Sequence, residues 1–288
     1  MLFNKIIKLY IASVTLSLIF VTTFAGPVTS FAEPMSQVVS NIEEYFPDQK
    51  GNEWTYRGRF IEGQMVQIAE KSFTNVSTVM GNEIKDGMEM VVFHDTNPGD
   101  QGPSDSYYRR DVAGIRYFGS KPGTVLEKQL IPYQIVGFPL EVPSSFQQLD
   151  RKGLDLGLDL DRDGESEKVD VQAVVSVLGK ETVVVPLGTY PEAIRLEARM
   201  TMHVHLSQAG LVVKGTDIMT AWFGRGIGLL KYEERQTIPS LRSENDRTIE
   251  VIEELEKATV QGQAIAGNHT GYTATGRLAK NSLRHVLP

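Results

Sequence analysis

Short runs in which bulky apolar and polar residues alternate recur along most of the chain, and this alternation restricts the fold more than any other feature. A period of two residues places alternate side chains on opposite faces of a β-strand. The first such runs span 53–60, 64–69, 73–79 and 88–93. Because a turn-forming stretch follows at 97–103, the pattern predicts a mainly β protein with few helices, arranged as a meander of short antiparallel strands.

The same alternation predicts strands in the rest of the chain. A hairpin is expected where 106–110 and 114–119 flank a short turn. Later strands are predicted at 168–175, 181–185, 193–202, 211–213 and, as one continuous strand, 222–232. Segment 249–260 stays ambiguous, because its β-branched residues favour an edge strand and its charged centre favours a helix.

Three prolines stand among apolar residues in segment 131–143. Proline has no backbone N–H to donate to a β-ladder, so this segment is predicted to cross in extended form between two halves of the sheet. We expect a single β-rich domain over 33–260, or alternatively two sub-halves that meet around 131–150. Residues 261–288 are polar and aperiodic, and a disordered C-terminal tail is predicted there.

The N-terminus has the parts of a secretory signal peptide. Two lysines precede an apolar run over 9–21, which is shorter than the about 20 residues of a membrane-spanning helix. Small residues then occur at the spacing of a cleavage site, with the bond between Ala32 and Glu33 preferred and Ala25 as the competing position. We predict a signal peptide over 1–32 and a secreted protein, extracellular or periplasmic; an uncleaved anchor is the alternative.

Composition narrows the classes of function. The chain has no cysteine, which excludes disulfides, thiol nucleophiles, cysteine-ligated zinc and a lipid-modified N-terminal cysteine. No permanent membrane anchor is therefore expected. The chain has 29 Lys and Arg against 36 Asp and Glu, a net charge of −7, and no basic block. We therefore expect no nucleic-acid partner.

Three short motifs occur in an order and spacing that frame most of the chain. They are YFP with GNEWTY (45–56), VPLGTY (185–190) and WFGRGIGLLK (222–231). With these motifs the chain resembles a family of bacterial secreted proteins and lipoproteins of unknown function. The resemblance implies a strongly curved antiparallel sheet, a half-barrel distantly like that of envelope lipoprotein carriers. It implies no enzyme activity, and this chain departs from the lipid-anchored members by lacking their cysteine.

Glycines alternate within the third motif, at Gly224, Gly226 and Gly228. On the predicted strand they would leave one face bare, which lets a sheet bend sharply. Trp54 and Trp222 are predicted to pack in the core or, alternatively, to line a site for an apolar ligand in the concave face of the sheet.

One segment, 159–170, carries recognisable chemistry. Its acidic residues at positions 1, 3, 5, 9 and 12 and its glycine at position 6 have the spacing of a calcium loop. Calcium takes six to eight oxygen ligands, and the glycine permits the tight turn that wraps them around the ion. The predicted ligands of a structural calcium ion are Asp159, Asp161, Asp163, Glu165 through its carbonyl, Glu167 and Asp170.

The segment differs from an EF-hand in two respects. Position 12 is Asp rather than Glu, and the glycines before the loop with the alternation after it predict flanking strands instead of helices. A solvated acidic turn is the alternative. A second candidate site is the pair His203 and His205 on one strand face, which could hold zinc with a third ligand; a solvated strand face is again the alternative.

The chain contains no nucleophile elbow, Walker loop or dinucleotide fingerprint, so a non-catalytic function is expected. The leading hypothesis is an exported binding or envelope-associated module whose partner is an apolar or lipid-like ligand or an envelope protein. It predicts an apolar concavity that the protein's own side chains do not fill. The alternatives are a calcium-stabilised surface interaction protein and a secreted metal-dependent hydrolase that uses His203 and His205.

Overall fold

The computed structural model describes residues 37–64, 67–208, 210–238 and 246–267. The predicted signal peptide, with its cleavage site at Ala32 and Glu33, lies outside the described residues. So do residues 268–288 of the predicted tail.

The described chain is mostly β-structure. Its strands are β1 (Gln37–Val38), β2 (Glu53–Gln64), β3 (Gln67–Lys85), β4 (Met88–Asp95), β5 (Ser104–Asp111), β6 (Gly114–Lys121), β7 (Tyr133–Gly137), β8 (Glu141–Val142), β9 (Ser144–Asp155), β10 (Lys168–Val185), β11 (Gly188–His205), β12 (Val212–Gly224), β13 (Gly228–Ile238), β14 (Arg247–Val260) and β15 (Gln263–Ala264). Helical structure in the described residues comprises α1 (Val125–Leu130) and 3₁₀ turns at Ile42–Tyr45 and Pro98–Asp100. The prediction of a mainly β fold with few helices is confirmed.

Thirteen of the strands form one antiparallel sheet, in which nearly every pair of neighbours is also consecutive in the chain. The exception is the pair β2 and β14, which are joined along their length from Glu53 opposite Thr259 to Gly63 opposite Thr248. The two edge strands, β7 and β9, approach one another, and Gln148 Nε2 donates to the backbone carbonyl of Gln134 at 2.7 Å. The sheet is therefore a nearly closed ring.

Alternation along β10 identifies the inner face of this ring. Val169, Val171, Ala173, Val175 and Val177 are each at most 2% exposed, whereas the residues between them are exposed or half-buried. Burial of one such valine stabilises the folded state by about 1.5–3 kcal/mol. The core is thus the interior of the sheet, and the polar faces of the strands point outward.

Helix α1 packs against β9, beside the open seam of the ring. Its first turn carries a capping box: Thr124 Oγ1 accepts from the N–H of Glu127 at 3.1 Å, and Glu127 Oε2 accepts from the N–H of Thr124 at 3.2 Å. Gln129 then exchanges two hydrogen bonds with the backbone of Asp155 in β9. The sequence analysis did not predict this helix, although Thr-x-x-Glu is the signature of such a start.

The prediction of one strand over 222–232 is wrong. β12 ends at Gly224 and β13 begins at Gly228, with a hairpin turn between them. Gly226 and Gly228 have φ of 75° and 90°, a conformation that glycine adopts readily and other residues rarely do. The alternating glycines therefore form a turn and do not leave one face of a strand bare.

Segment 249–260 is a strand, as one of its two interpretations proposed, but it is not at an edge. It forms most of β14, which lies between β2 and β13 in the middle of the sheet. Ile249, Val251, Glu253 and Leu255 alternate on its buried face. Tertiary packing of this face overrides the helix preference of the charged residues between them.

Segment 131–143, predicted to cross between two halves of the sheet, contains the edge strand β7 and the link that follows it. After β7, residues 138–143 run from one edge of the sheet to the other, and β8 within this link pairs with β1. At the other end of the chain, β15 pairs with the end of β14. The prediction of disorder beginning at residue 261 is therefore wrong for the first residues of that tail, because they complete a hairpin.

Candidate functional site

The interior of the sheet contains a cavity of about 130 Å³. Its wall is drawn from strands on both sides of the β2–β14 seam and from the segment that precedes β2. Most of the lining side chains are apolar. They include Phe46, Trp54, Val91, Phe93, Val175 and Leu229.

A row of aromatic rings crosses the interior from the cavity towards helix α1. The ring centroids of Trp54 and Phe93 are 6.3 Å apart, those of Phe93 and Tyr108 5.4 Å, those of Tyr108 and Tyr117 5.4 Å, and those of Tyr117 and Tyr133 5.2 Å. Aromatic pairs at such distances add about 0.5–1.5 kcal/mol each beyond their burial. The row gives the cavity a rigid wall on this side.

The segment before β2 is held against the sheet by ionic contacts. Arg225 Nε donates to the Glu44 carboxylate at 2.5 Å. Arg110 donates through Nη2 to the backbone carbonyl of Phe46, and the same nitrogen lies 3.3 Å from Asp48 Oδ2. The segment thereby becomes a fixed part of the cavity wall.

Two aromatic residues of the wall have their polar atoms paired. Trp54 Nε1 donates to the carbonyl of Ile227 at 2.6 Å, and the Tyr56 hydroxyl donates to the carbonyl of Leu229 at 3.0 Å. These bonds tie β2 to the β12–β13 hairpin. Trp54 is therefore both a core residue and a lining residue, as the sequence analysis predicted in its two alternatives.

Two other polar groups of the wall are not paired. Tyr108 is 8% exposed, and its buried hydroxyl has no hydrogen-bond partner among the described residues. The Nε of Arg110, two residues further along β5, is buried and likewise without a partner there. Most buried polar atoms in proteins are hydrogen-bonded, so each of these two atoms needs an explanation.

Trp222 does not line the cavity; it belongs to the buried core residues, which is the first of the two placements predicted for it. Trp222 is buried, but its neighbour Phe223 occupies the inner face and lines the cavity instead. The indole Nε1 of Trp222 donates to the Glu181 carboxylate. Its ring lies 5.6 Å from the guanidinium carbon of Arg195 and 5.5 Å from Lys231 Nζ. Trp222 thus packs beneath charged side chains on the outer face.

The loop between β9 and β10 brings three of the predicted calcium ligands together. Carboxylate oxygens of Asp159, Asp161 and Glu167 all lie within 4.8 Å of one another. Strands flank the loop on both sides, as predicted. Hard divalent cations such as calcium prefer oxygen ligands of this kind.

Backbone N–H groups also converge on these carboxylates. Glu167 is fully buried; its Oε1 accepts from the N–H groups of Leu160 and Asp161 at 3.1 and 3.3 Å, and its Oε2 from that of Ser207 at 3.0 Å. Asp161 Oδ2 accepts from the N–H of Gln208 at 2.9 Å. Asp161 Oδ1 is buried without a hydrogen-bond partner in the described part of the chain. Both lone pairs of this oxygen are therefore available to coordinate a cation.

The side chains of Asp163 and Glu165 are not among the three clustered carboxylates. The Ser207 hydroxyl donates to Asp163 Oδ2 at 2.6 Å, and this bond together with the N–H of Glu165 holds the pKa of Asp163 below its usual value. Glu165 is exposed. Asp163 therefore braces the loop against the β11–β12 connection, and neither residue belongs to the cluster of three.

Asp170, which was predicted to complete the calcium shell, is not among the three clustered carboxylates. Its Oδ1 accepts from the N–H of Gly153 at 2.8 Å, and its Oδ2 lies 3.2 Å from His205 Nε2. The pKa of Asp170 is lowered, first by the bond from Gly153 and then by His205. His203 and His205 join no group of three metal-ligating side chains within the described ranges.

Four acidic residues that the sequence analysis did not single out lie buried in the sheet. Asp95, Asp217, Glu234 and Glu253 are each at most 3% exposed. Burial, followed by the neighbouring Glu234 carboxylate, raises the pKa of Asp217 well above its ordinary value. The sequence contains the information needed to predict three of them, because Asp217, Glu234 and Glu253 occupy inward positions in the alternating pattern of β12, β13 and β14.

Comparison with known proteins gives two structural likenesses. No protein-family model matches the chain, and no curated protein matches its sequence. A candidate exported protein with a YmcC-like fold from Bacteroides fragilis aligns at 13% identity and a TM-score of 0.32, and a candidate lipoprotein from Parabacteroides distasonis at 12% and 0.33. Each alignment covers 75% of this chain and 98% of the other. Likenesses at these TM-scores carry no inference about function.

In the part of the chain that the structure describes, none of the helices has the length and apolar character needed to cross a membrane.

Proposed function

We propose that this chain is an exported, non-catalytic binding protein that takes a small apolar group into the interior of its nearly closed sheet. The observation that carries the proposal is the cavity of about 130 Å³ with its mostly apolar wall. The predicted signal peptide over 1–32 supports export.

The size of the cavity limits what it can hold. An apolar cavity of about 150 Å³ can stay dry and bind benzene or xenon. The present cavity is slightly smaller, so it suits one aromatic ring or a few methylene groups rather than a whole lipid. The ligand would gain dispersion contacts with a close-packed wall, without having to displace side chains.

Toluene is a suitable probe for this proposal. We expect saturable binding of toluene to the mature protein, measured by chemical-shift changes of methyl groups in the wall. Val175→Phe should fill the cavity and weaken toluene binding at least tenfold. Val174→Phe is the matched control, because Val174 is the next residue on β10 and is 44% exposed. An absence of saturable binding to the wild-type protein would contradict the proposal.

A structural calcium ion in the loop between β9 and β10 is a second proposal. It is favoured by the three converging carboxylates of Asp159, Asp161 and Glu167 and by the unpartnered Asp161 Oδ1. The ion would neutralise carboxylates that repel one another. With few protein ligands we expect weak affinity, with Kd on the order of 10⁻³ M, as in extracellular modules.

The calcium proposal predicts a change in stability. At 10 mM calcium and this Kd, the free energy of unfolding should rise by about 1.4 kcal/mol, measured by urea denaturation. Asp161→Asn should abolish the rise, while Asp163→Asn should retain it because Asp163 lies outside the cluster. Equal stability of the wild-type protein with and without calcium would indicate a solvated acidic turn instead.

A further inference from the structure

The wall of the cavity contains an unbalanced set of hydrogen-bonding groups. Among its aromatic residues, Trp54 and Tyr56 have polar atoms that are hydrogen-bonded. The Tyr108 hydroxyl has no hydrogen-bond partner among the described residues. Arg110 lines the same cavity from the same strand, and its Nε–H is also without an acceptor there. The wall therefore holds two donors without acceptors, two residues apart on β5.

Their chemistry restricts the group that could satisfy both. A guanidinium Nε–H can only donate, and a tyrosine hydroxyl can donate or accept. The complement common to both is an oxygen acceptor. Residues two apart on a strand point to the same face, so both groups belong to the inner face of β5.

We propose that the ligand of the cavity is an apolar molecule with a terminal oxygen acceptor, which receives hydrogen bonds from the Tyr108 hydroxyl and from Arg110 Nε. This inference rests on the proposed binding function. The hydrocarbon part occupies the apolar wall near Val175 and Leu229, and the oxygen lies at the β5 side of the cavity.

A carbonyl and a carboxylate both supply this acceptor, and the charges of the wall separate them. Arg110 already has Asp48 Oδ2 at 3.3 Å from its Nη2, so a carboxylate of the protein already balances the charge of its guanidinium. An anionic ligand would therefore meet the Asp48 carboxylate as well as the guanidinium. A neutral carbonyl would gain the hydrogen bonds without that repulsion.

A matched series of single-ring probes tests the inference. Toluene has no acceptor, benzaldehyde has a neutral acceptor, benzoate has an anionic one, and benzylammonium has donors alone. We expect benzaldehyde to bind about tenfold more tightly than toluene, the effect of one net hydrogen bond, and also more tightly than benzoate. Benzylammonium should bind more weakly than toluene.

Two tyrosine variants make the assignment specific. Tyr108→Phe should reduce the preference for the oxygen-bearing probe over toluene, measured in the same variant, to less than threefold. It should also raise the Tm of the ligand-free protein, because it removes a buried hydroxyl without a partner. Tyr190→Phe is the control, since the Tyr190 hydroxyl is also buried and unpartnered but Tyr190 is not a lining residue.

The outcomes distinguish the acceptor inference from the proposal that the cavity binds an apolar group. Toluene binding with no preference for an acceptor, or a preference that survives in Tyr108→Phe, would overturn the acceptor inference and leave the apolar binding function in place. Failure of every probe to bind would overturn both. Preference retained in Tyr190→Phe and lost in Tyr108→Phe would support both.

Discussion

At the scale of single residues, the inner face of the sheet combines an apolar majority with a few acidic side chains. Asp217 is fully buried, and one of its oxygens accepts a long hydrogen bond of 3.5 Å from Gln236 Nε2. Its other oxygen is without a partner among the described residues. Burial and the Glu234 carboxylate raise the pKa of Asp217, so its ionised form is poorly accommodated.

This environment predicts a pH-dependent stability. Because the folded-state pKa of Asp217 is above the unfolded value of about 3.9, the folded protein binds this proton more tightly, and the contribution of Asp217 to the free energy of unfolding falls as pH rises from about 4 through the folded pKa. Asp217→Asn removes the titration. We expect this variant to exceed the wild-type free energy of unfolding at pH 7 by about 1–2 kcal/mol.

The measurement is a series of urea denaturations between pH 4 and pH 7. The advantage of Asp217→Asn should shrink towards pH 4, where the wild-type carboxyl is protonated in both states. Asp150→Asn provides the control, because Asp150 is exposed on β9. An advantage that stays constant over this range would show that packing, and not ionisation, distinguishes the variant.

The residue scale is also where prediction from sequence was least complete. Trp54 was among the predicted core or lining residues, and Asp159, Asp161 and Glu167 were among the predicted calcium ligands. Tyr108 did not, because a tyrosine in an alternating run is an ordinary strand residue until its neighbours are known. Whether a buried hydroxyl has a partner depends on distant strands, and local patterns do not specify it.

At the scale of elements, the alternating pattern located most of the long strands. It missed β9, and it failed where glycines replaced side chains. In the run 222–232, alternating glycines fit both a bare strand face and a tight turn, since each requires a residue without Cβ. The positive φ values of Gly226 and Gly228 decide for the turn. The same turn carries the carbonyl of Ile227, which accepts the hydrogen bond from Trp54.

The two glycines of this turn should differ in their sensitivity to substitution. A Cβ at Gly228 would lie 3.2 Å from Pro47 Cδ and 3.6 Å from Trp54 Cζ2, whereas one at Gly226 would have nothing within 4 Å. Gly226→Ala should lower the free energy of unfolding by about 1 kcal/mol through backbone strain alone. Gly228→Ala should lower it by about 2–3 kcal/mol, because strain and crowding add.

Urea denaturation of both variants checks this prediction. Gly226→Ala is the built-in control for the cost of a positive φ. Similar losses in the two variants would mean that Pro47 moves freely, and that the segment before β2 is not a fixed part of the cavity wall.

At the scale of the whole molecule, the sheet is ordered almost entirely by sequence neighbours, with β2 and β14 as the exception. A circular permutant that joins the present termini through a linker and opens at 138–143 would make every neighbouring pair of long strands consecutive. Because local pairing lowers the contact order, this permutant should refold faster than the natural chain in stopped-flow measurements. A permutant with the same linker, opened between Val112 and Ala113, is the control, since it separates β5 from β6 instead.

Equal refolding rates of the permutant opened at 138–143 and the natural chain would contradict this prediction. Both permutants make the pairing of β2 with β14 local, so a faster rate in both would assign the rate-limiting step to that pairing. A faster rate confined to the permutant opened at 138–143 would show that the local pairing of β5 with β6 also contributes to the rate.

The pairing of β2 with β14 also has a consequence for the order of events during biosynthesis. Synthesis from the N-terminus produces β2 early and β14 near the end. Until β14 is made, β2 presents a free edge, and the ring is open along the line where Trp54 and Tyr56 will later be covered. Closure of the ring therefore waits for β14, and an unpaired edge of this kind is the part of the chain most in need of a chaperone.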